Sequence, residues 1–147
     1  MDETARLSEA HARAIRESFA AQSLMATFGA GMTALAPGRA VIEAPILPAA
    51  RQQHGYAHAG LTFALGDSAA GYAALTLLPE GSEVLTAEIK INLLAPGAGD
   101  RLIATGRVVK PGRRLVVVTA EVEAEADGTR RPVALLQGTM VPAPPAR

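Results

Sequence analysis

The spacing of apolar residues divides the chain into helical and extended segments. Leu7, His11, Ile15 and Phe19 recur every four residues, with charged residues mostly around the other sides. This spacing is typical of an amphipathic helix. The pattern predicts an N-terminal helix over residues 4–28, which Gly29 ends. We interpret this segment as a helix that packs on a core, and we assign no chemical role to His11.

The longest apolar segment lies in the middle of the chain, over residues 58–78. It has no broad polar face, and a helix that is apolar all round is buried on all sides. Its alanines and glycines would let a sheet approach the helix axis closely, which would offset the cost of about 1 kcal/mol for each of Gly66 and Gly71. We therefore predict a long buried helix that ends at Pro79.

Extended segments flank this helix on both sides. From residue 85 to residue 93 every odd position is apolar and every even position is polar, as in a strand with one buried face. Proline–glycine and aspartate–glycine pairs mark turns between the segments. Residues 142–147 hold no core-forming side chain and are predicted to be a mobile tail. Six strands are predicted, over residues 31–36, 39–46, 85–93, 101–109, 115–125 and 132–141.

The order of these segments predicts an α+β fold, because a fully apolar helix among strands must be covered by their sheet. We expect a single domain over residues 1–147, in which a mostly antiparallel sheet of about six strands wraps around the long helix. A parallel βαβ arrangement is excluded, since only one helix lies between strands. A sheet of this size has exposed edges that a second copy would cover, so a homodimer or a dimer of dimers is expected.

Composition narrows the possible functions. The 147 residues carry 14 Lys and Arg against 14 Asp and Glu, so no basic field favours nucleic acid or a membrane as a partner. Cysteine is absent and only three histidines are present, which excludes thiol chemistry and leaves little for a metal site. The chain shows neither a signal peptide nor an apolar stretch of spanning length, so a cytoplasmic location is expected.

Polar groups meet the apolar helix at two places. Asp67 is the only acid inside it, and a carboxylate there is costly unless it is paired or faces a cleft. One interpretation is a structural hydrogen bond to Ser68 or to the backbone; the other is catalysis. At the start of the helix, the amides of Ala59, Gly60 and Leu61 are expected to be free to stabilise an oxyanion.

The segment around these positions resembles the hotdog-fold thioesterases of the phenylacetic-acid-degradation (PaaI) type. The resemblance extends over residues 31–141 and implies the hotdog fold. The family pattern is roughly Asn-x-x-Gly-x-x-His-Gly-Gly, followed by an acid nine residues after the His. Four positions of this chain keep that pattern: Gly55, His58, Gly60 and Asp67. Two depart from it, with Gln52 in place of Asn and Ala59 in place of the first Gly.

The resemblance implies hydrolysis of an acyl-CoA thioester without a covalent Ser or Cys. Asp67 would act as general base or as nucleophile, and the Ala59 and Gly60 amides would polarise the thioester carbonyl. Two further roles are implied for polar side chains. Gln52 and His58 would shape the loop around the leaving sulfur and the water, and Thr86 would hold that water.

The same resemblance implies how the substrate and subunits are arranged. The site groups would come from both subunits of a dimer, and no metal or redox cofactor is required, coenzyme A being part of the substrate. Basic residues that could bind its phosphates are Lys90, Lys110, Arg113 and Arg114. The alternative for the last three is a solvated hairpin tip.

Two other functions stay open at this point. Gln52 and Ala59 are consistent with a non-catalytic hotdog module that binds an acyl group or coenzyme A. A hydratase acting on an enoyl thioester would need a His and a carboxylate together, which His58 and Asp67 could supply. The sequence does not determine the acyl chain.

Overall fold

The structure, a computed structural model, describes residues 6–144. That part of the chain forms three α-helices and six strands. In chain order these are α1 (Glu9–Ala20), α2 (Ser23–Thr27), β1 (Gly31–Ala36), β2 (Arg39–Pro45), α3 (Ala59–Leu75), β3 (Glu83–Leu93), β4 (Arg101–Lys110), β5 (Val116–Ala126) and β6 (Thr129–Ala143).

The six strands form one antiparallel sheet in the order β1-β2-β4-β5-β6-β3. Helix α3 packs on one face of this sheet, mostly against β4, β2 and β5, so the predicted α+β hotdog architecture is confirmed. Strands β1 and β3 are the two edges of the sheet. No helix within residues 6–144 has both the length and the apolar character to cross a membrane.

Small residues set the short distance between α3 and the sheet. A Cβ atom at Gly106 of β4 would lie 2.1 Å from the backbone oxygen of Ala69 on α3. On the helix side, a Cβ at Gly66 would lie 2.8 Å from Cδ2 of Leu136. The predicted close approach of helix and sheet is therefore confirmed, and Gly106 is the position where backbone meets backbone.

We expect Gly106→Ala to lower the free energy of unfolding by about 3 kcal/mol, because an added methyl group would force α3 off the sheet. The matched control is Gly71→Ala, whose Cβ would meet nothing within 4 Å. That change should raise stability by about 0.5–1 kcal/mol, since alanine is the better helix former. Urea titrations at one protein concentration measure both values, and equal stability of the two variants would contradict the role given to Gly106.

The N-terminal region departs from the single predicted helix. The helix breaks after Ala20, and Gln22 has an extended backbone (φ −76°, ψ 107°) that begins α2. His11, Ile15 and Phe19 of α1 are buried as expected. The break places the side-chain amide of Gln22 against the hydroxyl of Tyr72 on α3, with Nε2 donating over 2.7 Å. The interruption between α1 and α2 thus coincides with a hydrogen bond between distant segments of the chain.

Strand β3 contains a β-bulge that the sequence pattern did not predict. Thr86 pairs with Met140 and Glu88 pairs with Thr139, so one extra residue, Ala87, lies between them. The bulge reverses the expected alternation: Thr86 faces α3, whereas Leu85 is 62% exposed. Beyond the bulge the side chains of Ile89 and Ile91 return to the core side.

The C-terminal tail is shorter than predicted. Strand β6 continues to Ala143, and Pro142 is half-buried opposite Val84 of β3. Residues 142 and 143 therefore belong to the sheet, because the neighbouring edge strand extends far enough to pair with them. Residues 145–147 of the predicted tail, and residues 4 and 5 of the predicted N-terminal helix, lie outside the described residues.

The sheet face that points away from α3 carries ion pairs. Arg101 contacts the carboxylates of Glu43 and Glu125, and Arg130 contacts Glu125 from the other side. The hydrogen bond from Arg130 holds the pKa of Glu125 below its usual value. This outer face thus carries the charged pairs, and the candidate chemistry lies on the opposite side.

Candidate functional site

Asp67 is half-buried on α3 and is held by the edge strand. The hydroxyl of Thr86 donates a hydrogen bond to Asp67 Oδ1 over 2.7 Å, and the same Oγ1 lies 3.3 Å from the sulfur of Met140. The expected structural partner Ser68 is not the one observed. Because the bulge at Ala87 turns Thr86 toward the helix, strand and helix together orient one carboxylate oxygen. The other oxygen, Oδ2, has no hydrogen-bond partner within residues 6–144.

A cavity of about 220 Å³ lies beside this carboxylate, between α1, α3 and β3. Polar side chains from all three elements line it, together with the aliphatic side chain of Val84 and the thioether of Met140. The polar members are Ser18, Gln22, Asp67, Ser68, Tyr72, Glu83 and Thr86. The predicted acid and the predicted hydroxyl therefore share one cavity.

At the N-terminus of α3, His58 is the residue that caps the helix. Its Nδ1 accepts a hydrogen bond from the Gly60 amide over 2.8 Å, and its carbonyl accepts from Leu61. The expectation of three free amides was therefore wrong for Gly60 and Leu61, since the capping residue His58 accepts from Gly60 through its side chain and from Leu61 through its carbonyl. Within residues 6–144 the Ala59 amide keeps no partner. With Nδ1 an acceptor, the ring proton of neutral His58 is on Nε2.

The loop before this helix is closed by its own hydrogen bonds. Gly55 has φ +87°, a conformation that glycine adopts without strain, and its amide donates to the backbone oxygen of Gln52. The Gln52 side chain accepts from the amide of His54. Arg51 donates to Gly55 O and Ile46 O, both over 2.7 Å. The loop thus presents Gln52 in a defined position.

Gln52 and Ala59 line a second cavity, of about 520 Å³, beside residues 93–97. On the same helix, Ala59 and Asp67 are eight residues apart, which corresponds to about 12 Å along the axis. One chain therefore brings Asp67 together with Thr86, and Gln52 together with Ala59, but it does not join these two groups. We call them the acid half-site and the loop half-site.

The candidate phosphate ligands lie away from both half-sites in this chain. Lys110, Arg113 and Arg114 are exposed at the turn between β4 and β5, where Arg113 borders a groove at the C-terminal end of α3. Lys90 lies on the outer face of the sheet. No group of three or more metal-ligating side chains within residues 6–144 is placed to hold a metal ion.

Three residues that the sequence interpretation left without a role line the acid half-site: Ser18, Gln22 and Tyr72. The hydroxyl of Tyr72 contacts Gln22 Nε2 at 2.7 Å and Ser18 Oγ at 3.2 Å. A tyrosine within an apolar helix was the available signal, because a buried phenol hydroxyl needs a hydrogen-bond partner.

Comparison with known families and structures gives a consistent result. The family model described as the Thioesterase superfamily matches residues 54–130. A thioesterase family protein from Silicibacter pomeroyi is 45% identical, with a TM-score of 0.88 over 90% of this chain and 97% of that chain. The PaaI protein of Escherichia coli is 24% identical and shares the fold, with a TM-score of 0.84 over 95% and 98% of the two chains.

Two further matches are more distant or partial. A candidate esterase of Saccharolobus solfataricus is 34% identical over 94 residues, which are 64% of this chain and 66% of that protein, just under two thirds. A Bacillus halodurans protein whose structure was solved with CoA is 25% identical. Its TM-score is 0.73 over 91% of this chain and 84% of that chain.

Proposed function

Since the chain belongs to the thioesterase superfamily, we propose that it hydrolyses acyl-CoA thioesters with Asp67 as the catalytic acid–base group or nucleophile. The observation that carries this proposal is the hydrogen bond from Thr86 to Asp67 Oδ1 at the wall of a cavity. A carboxylate on an apolar helix that is oriented by one hydroxyl and borders a cavity supports a catalytic role.

In the proposed step, Asp67 Oδ2 takes a proton from water while the water oxygen attacks the thioester carbonyl carbon. The carbon–sulfur bond then breaks, and the leaving coenzyme A thiolate takes up the proton that Asp67 accepted, which regenerates the carboxylate. Attack by Asp67 itself would give an anhydride that water hydrolyses. Because the Thr86 hydroxyl donates a hydrogen bond to Asp67 Oδ1, it orients the carboxylate, and its oxygen can still accept a hydrogen bond from the water.

The loop half-site would complete this chemistry from a second copy. Its Ala59 amide is unpaired within residues 6–144 and lies at the positive end of α3, where it can donate to a developing oxyanion. Gln52 would position the leaving group beside it. His58 acts as the capping residue that fixes this helix start, with Gly55 and Gly60 keeping the loop backbone accessible.

A homodimer through β3 would bring the two half-sites together. In one chain Thr86 lies near the start of β3 and the loop half-site lies near its end. Antiparallel pairing of two β3 edges about their middle would place each start beside the other copy's end. The exposed side chains of Leu85 (62%) and Leu93 (56%) on this edge support its burial against a second copy.

Coenzyme A is the proposed carrier of the acyl group, supported by the CoA complex of the Bacillus halodurans protein. Lys110, Arg113 and Arg114 are the proposed ligands of its phosphates, because guanidinium and ammonium groups pair strongly with phosphate oxygens. Lys90 would bind a phosphate only if coenzyme A lay against the outer face of the sheet.

The direct test is release of free thiol from short, long and aromatic acyl-CoA esters by the purified protein. Hydrolysis of at least one ester well above the uncatalysed rate is expected. A binding module would bind the esters and release no thiol, and a hydratase would consume an enoyl thioester without releasing thiol. Either result would contradict the proposal.

We expect Thr86→Val to lower kcat about tenfold with little change in KM, because the isosteric change removes the hydrogen bond that orients Asp67. The matched control is Thr105→Val, at a half-buried position on β4 whose neighbours in the strand face α3. Steady-state kinetics on one good ester measure both. Equal kcat values for Thr86→Val and the unchanged protein would show that this hydrogen bond does not serve catalysis.

A further inference from the structure

The cavity of the acid half-site extends along α3 away from Asp67. Asp67, Gly71 and Leu75 line it at successive turns of the helix, a span of about 12 Å. Its volume is about 220 Å³. An apolar cavity of about 150 Å³ is enough to bind benzene, so the part of the site that one chain supplies has room for a short acyl group.

One wall of the cavity comes from the N-terminal helices. Gln22 lines the cavity, and its Nε2 is committed to the hydroxyl of the buried Tyr72. Ser18 contacts the same hydroxyl at 3.2 Å. With Nε2 occupied, the amide oxygen Oε1 of Gln22 is the atom left without a partner among residues 6–144. Tyr72 thereby fixes an amide whose remaining atom is a hydrogen-bond acceptor.

Among residues 6–144, the cavity is lined by acidic side chains and by no basic ones. The carboxylates of Asp67 and Glu83 line it, whereas no lysine or arginine among residues 6–144 does so. A second carboxylate carried on an acyl chain would be repelled there. A hydroxyl group at the end remote from Asp67 would meet Gln22 Oε1, an acceptor that the bond from Nε2 to Tyr72 holds in place.

We infer that this cavity selects a short acyl chain whose far end carries an uncharged hydrogen-bond donor, and that Gln22 is the specificity-determining residue. The inference rests on the proposed function, because it places the thioester carbonyl at Asp67. The chain then runs beside Gly71, whose missing side chain keeps the path open, and its end reaches Gln22. Carboxylate-terminated acyl groups are disfavoured.

Binding of non-hydrolysable CoA thioethers tests the inference without relying on catalysis. The probes are hexyl-CoA, 6-hydroxyhexyl-CoA and 5-carboxypentyl-CoA, measured by calorimetry on the full chain. One hydrogen bond corresponds to about fivefold to tenfold tighter binding of the hydroxyl probe than of hexyl-CoA. The carboxylate probe should bind at least about tenfold more weakly than the hydroxyl probe. Equal affinities, a preference for the carboxylate, or no binding of any probe would overturn the inference.

Variants assign the preference to one residue. Gln22→Leu should reduce the ratio of hydroxyl to hexyl affinity to about one. The matched control, Gln137→Leu, changes an exposed glutamine on the outer face of the sheet and should keep the ratio. Gly71→Leu fills the cavity from a position where a Cβ meets nothing within 4 Å, and should weaken all three probes at least about tenfold. Unchanged binding to Gly71→Leu would overturn the inference even if Gln22→Leu did not fold.

Hydrolysis of the corresponding esters separates this inference from the proposed function. Selective binding of the hydroxyl probe without hydrolysis of 6-hydroxyhexanoyl-CoA would support the cavity assignment and contradict thioesterase activity. Hydrolysis of hexanoyl-CoA, 6-hydroxyhexanoyl-CoA and adipoyl-CoA at similar kcat/KM would support the activity and overturn the inference.

Discussion

Replacing Asp67 with asparagine should lower kcat/KM for thioester hydrolysis by at least about a hundredfold, the lower end expected for a lost general base. Asparagine keeps the shape of the side chain and can still accept the hydrogen bond from Thr86, so the fold and the assembly should persist. Thiol-release kinetics give the activity, and circular dichroism with light scattering checks the structure. A loss of this size in a folded protein identifies the proton acceptor or nucleophile.

The comparison variants for Asp67→Asn separate charge from catalysis. Asp100→Asn removes an exposed carboxylate from the loop before β4 and should leave the kinetics within about twofold. Gln52→Ala should cost less than Asp67→Asn, because positioning is easier to replace than proton transfer. Retained activity in Asp67→Asn would disprove the assigned role, and failure to fold would show that the carboxylate holds α3 instead.

A pair of lysines on the edge strand should abolish both the dimer and the activity. In Leu85→Lys/Leu93→Lys, two exposed leucines of β3 become charged, and a two-fold interface would contain four like charges. Placing like charges in a buried interface costs several kcal/mol. Because each half-site would then lack its complement, we expect a monomer by light scattering at micromolar concentration and at least about a hundredfold loss of kcat/KM.

The control for this experiment adds the same charge elsewhere. Leu24→Lys/Val109→Lys changes side chains that are 52% and 61% exposed on α2 and β4, and it should remain dimeric and active. A monomeric unchanged protein would remove the proposed shared site. Full activity in the Leu85→Lys/Leu93→Lys monomer would show instead that one chain suffices.

The parts of the fold that follow from periodicity were predictable from the sequence. The apolar segment from residue 58 contains helix α3, and the succession of strands along the chain and the turn at Asp127–Gly128 follow from alternation and turn residues. These features are local, or follow from burial alone. The burial of α3 was predictable because the helix has no broad polar face that could be exposed to solvent.

The features that the sequence did not predict depend on contacts between distant segments. The break before Gln22 is not marked by a helix-breaking residue, since alanine and glutamine are good helix formers. The contact that accompanies it is the hydrogen bond from Gln22 to Tyr72, fifty residues later in the chain. The bulge at Ala87 is hidden because an alanine fits either face of a strand. The cap at His58 depends on which ring nitrogen meets the Gly60 amide, which spacing alone does not specify.

The bulge in β3 also separates residues that line the cavity from residues that pack in the core. On its N-terminal side, Val84 and Thr86 face the cavity, and on its C-terminal side Ile89 and Ile91 face the core. Because of the extra residue, the alternation of inward and outward side chains starts anew after the bulge. Mutations in the cavity wall before the bulge therefore leave the core-facing pattern after it unchanged. A one-residue deletion at Ala87 would couple the two again. Val84 is therefore expected to vary more freely among relatives than Ile89 and Ile91, whereas Thr86 is constrained by its hydrogen bond to Asp67.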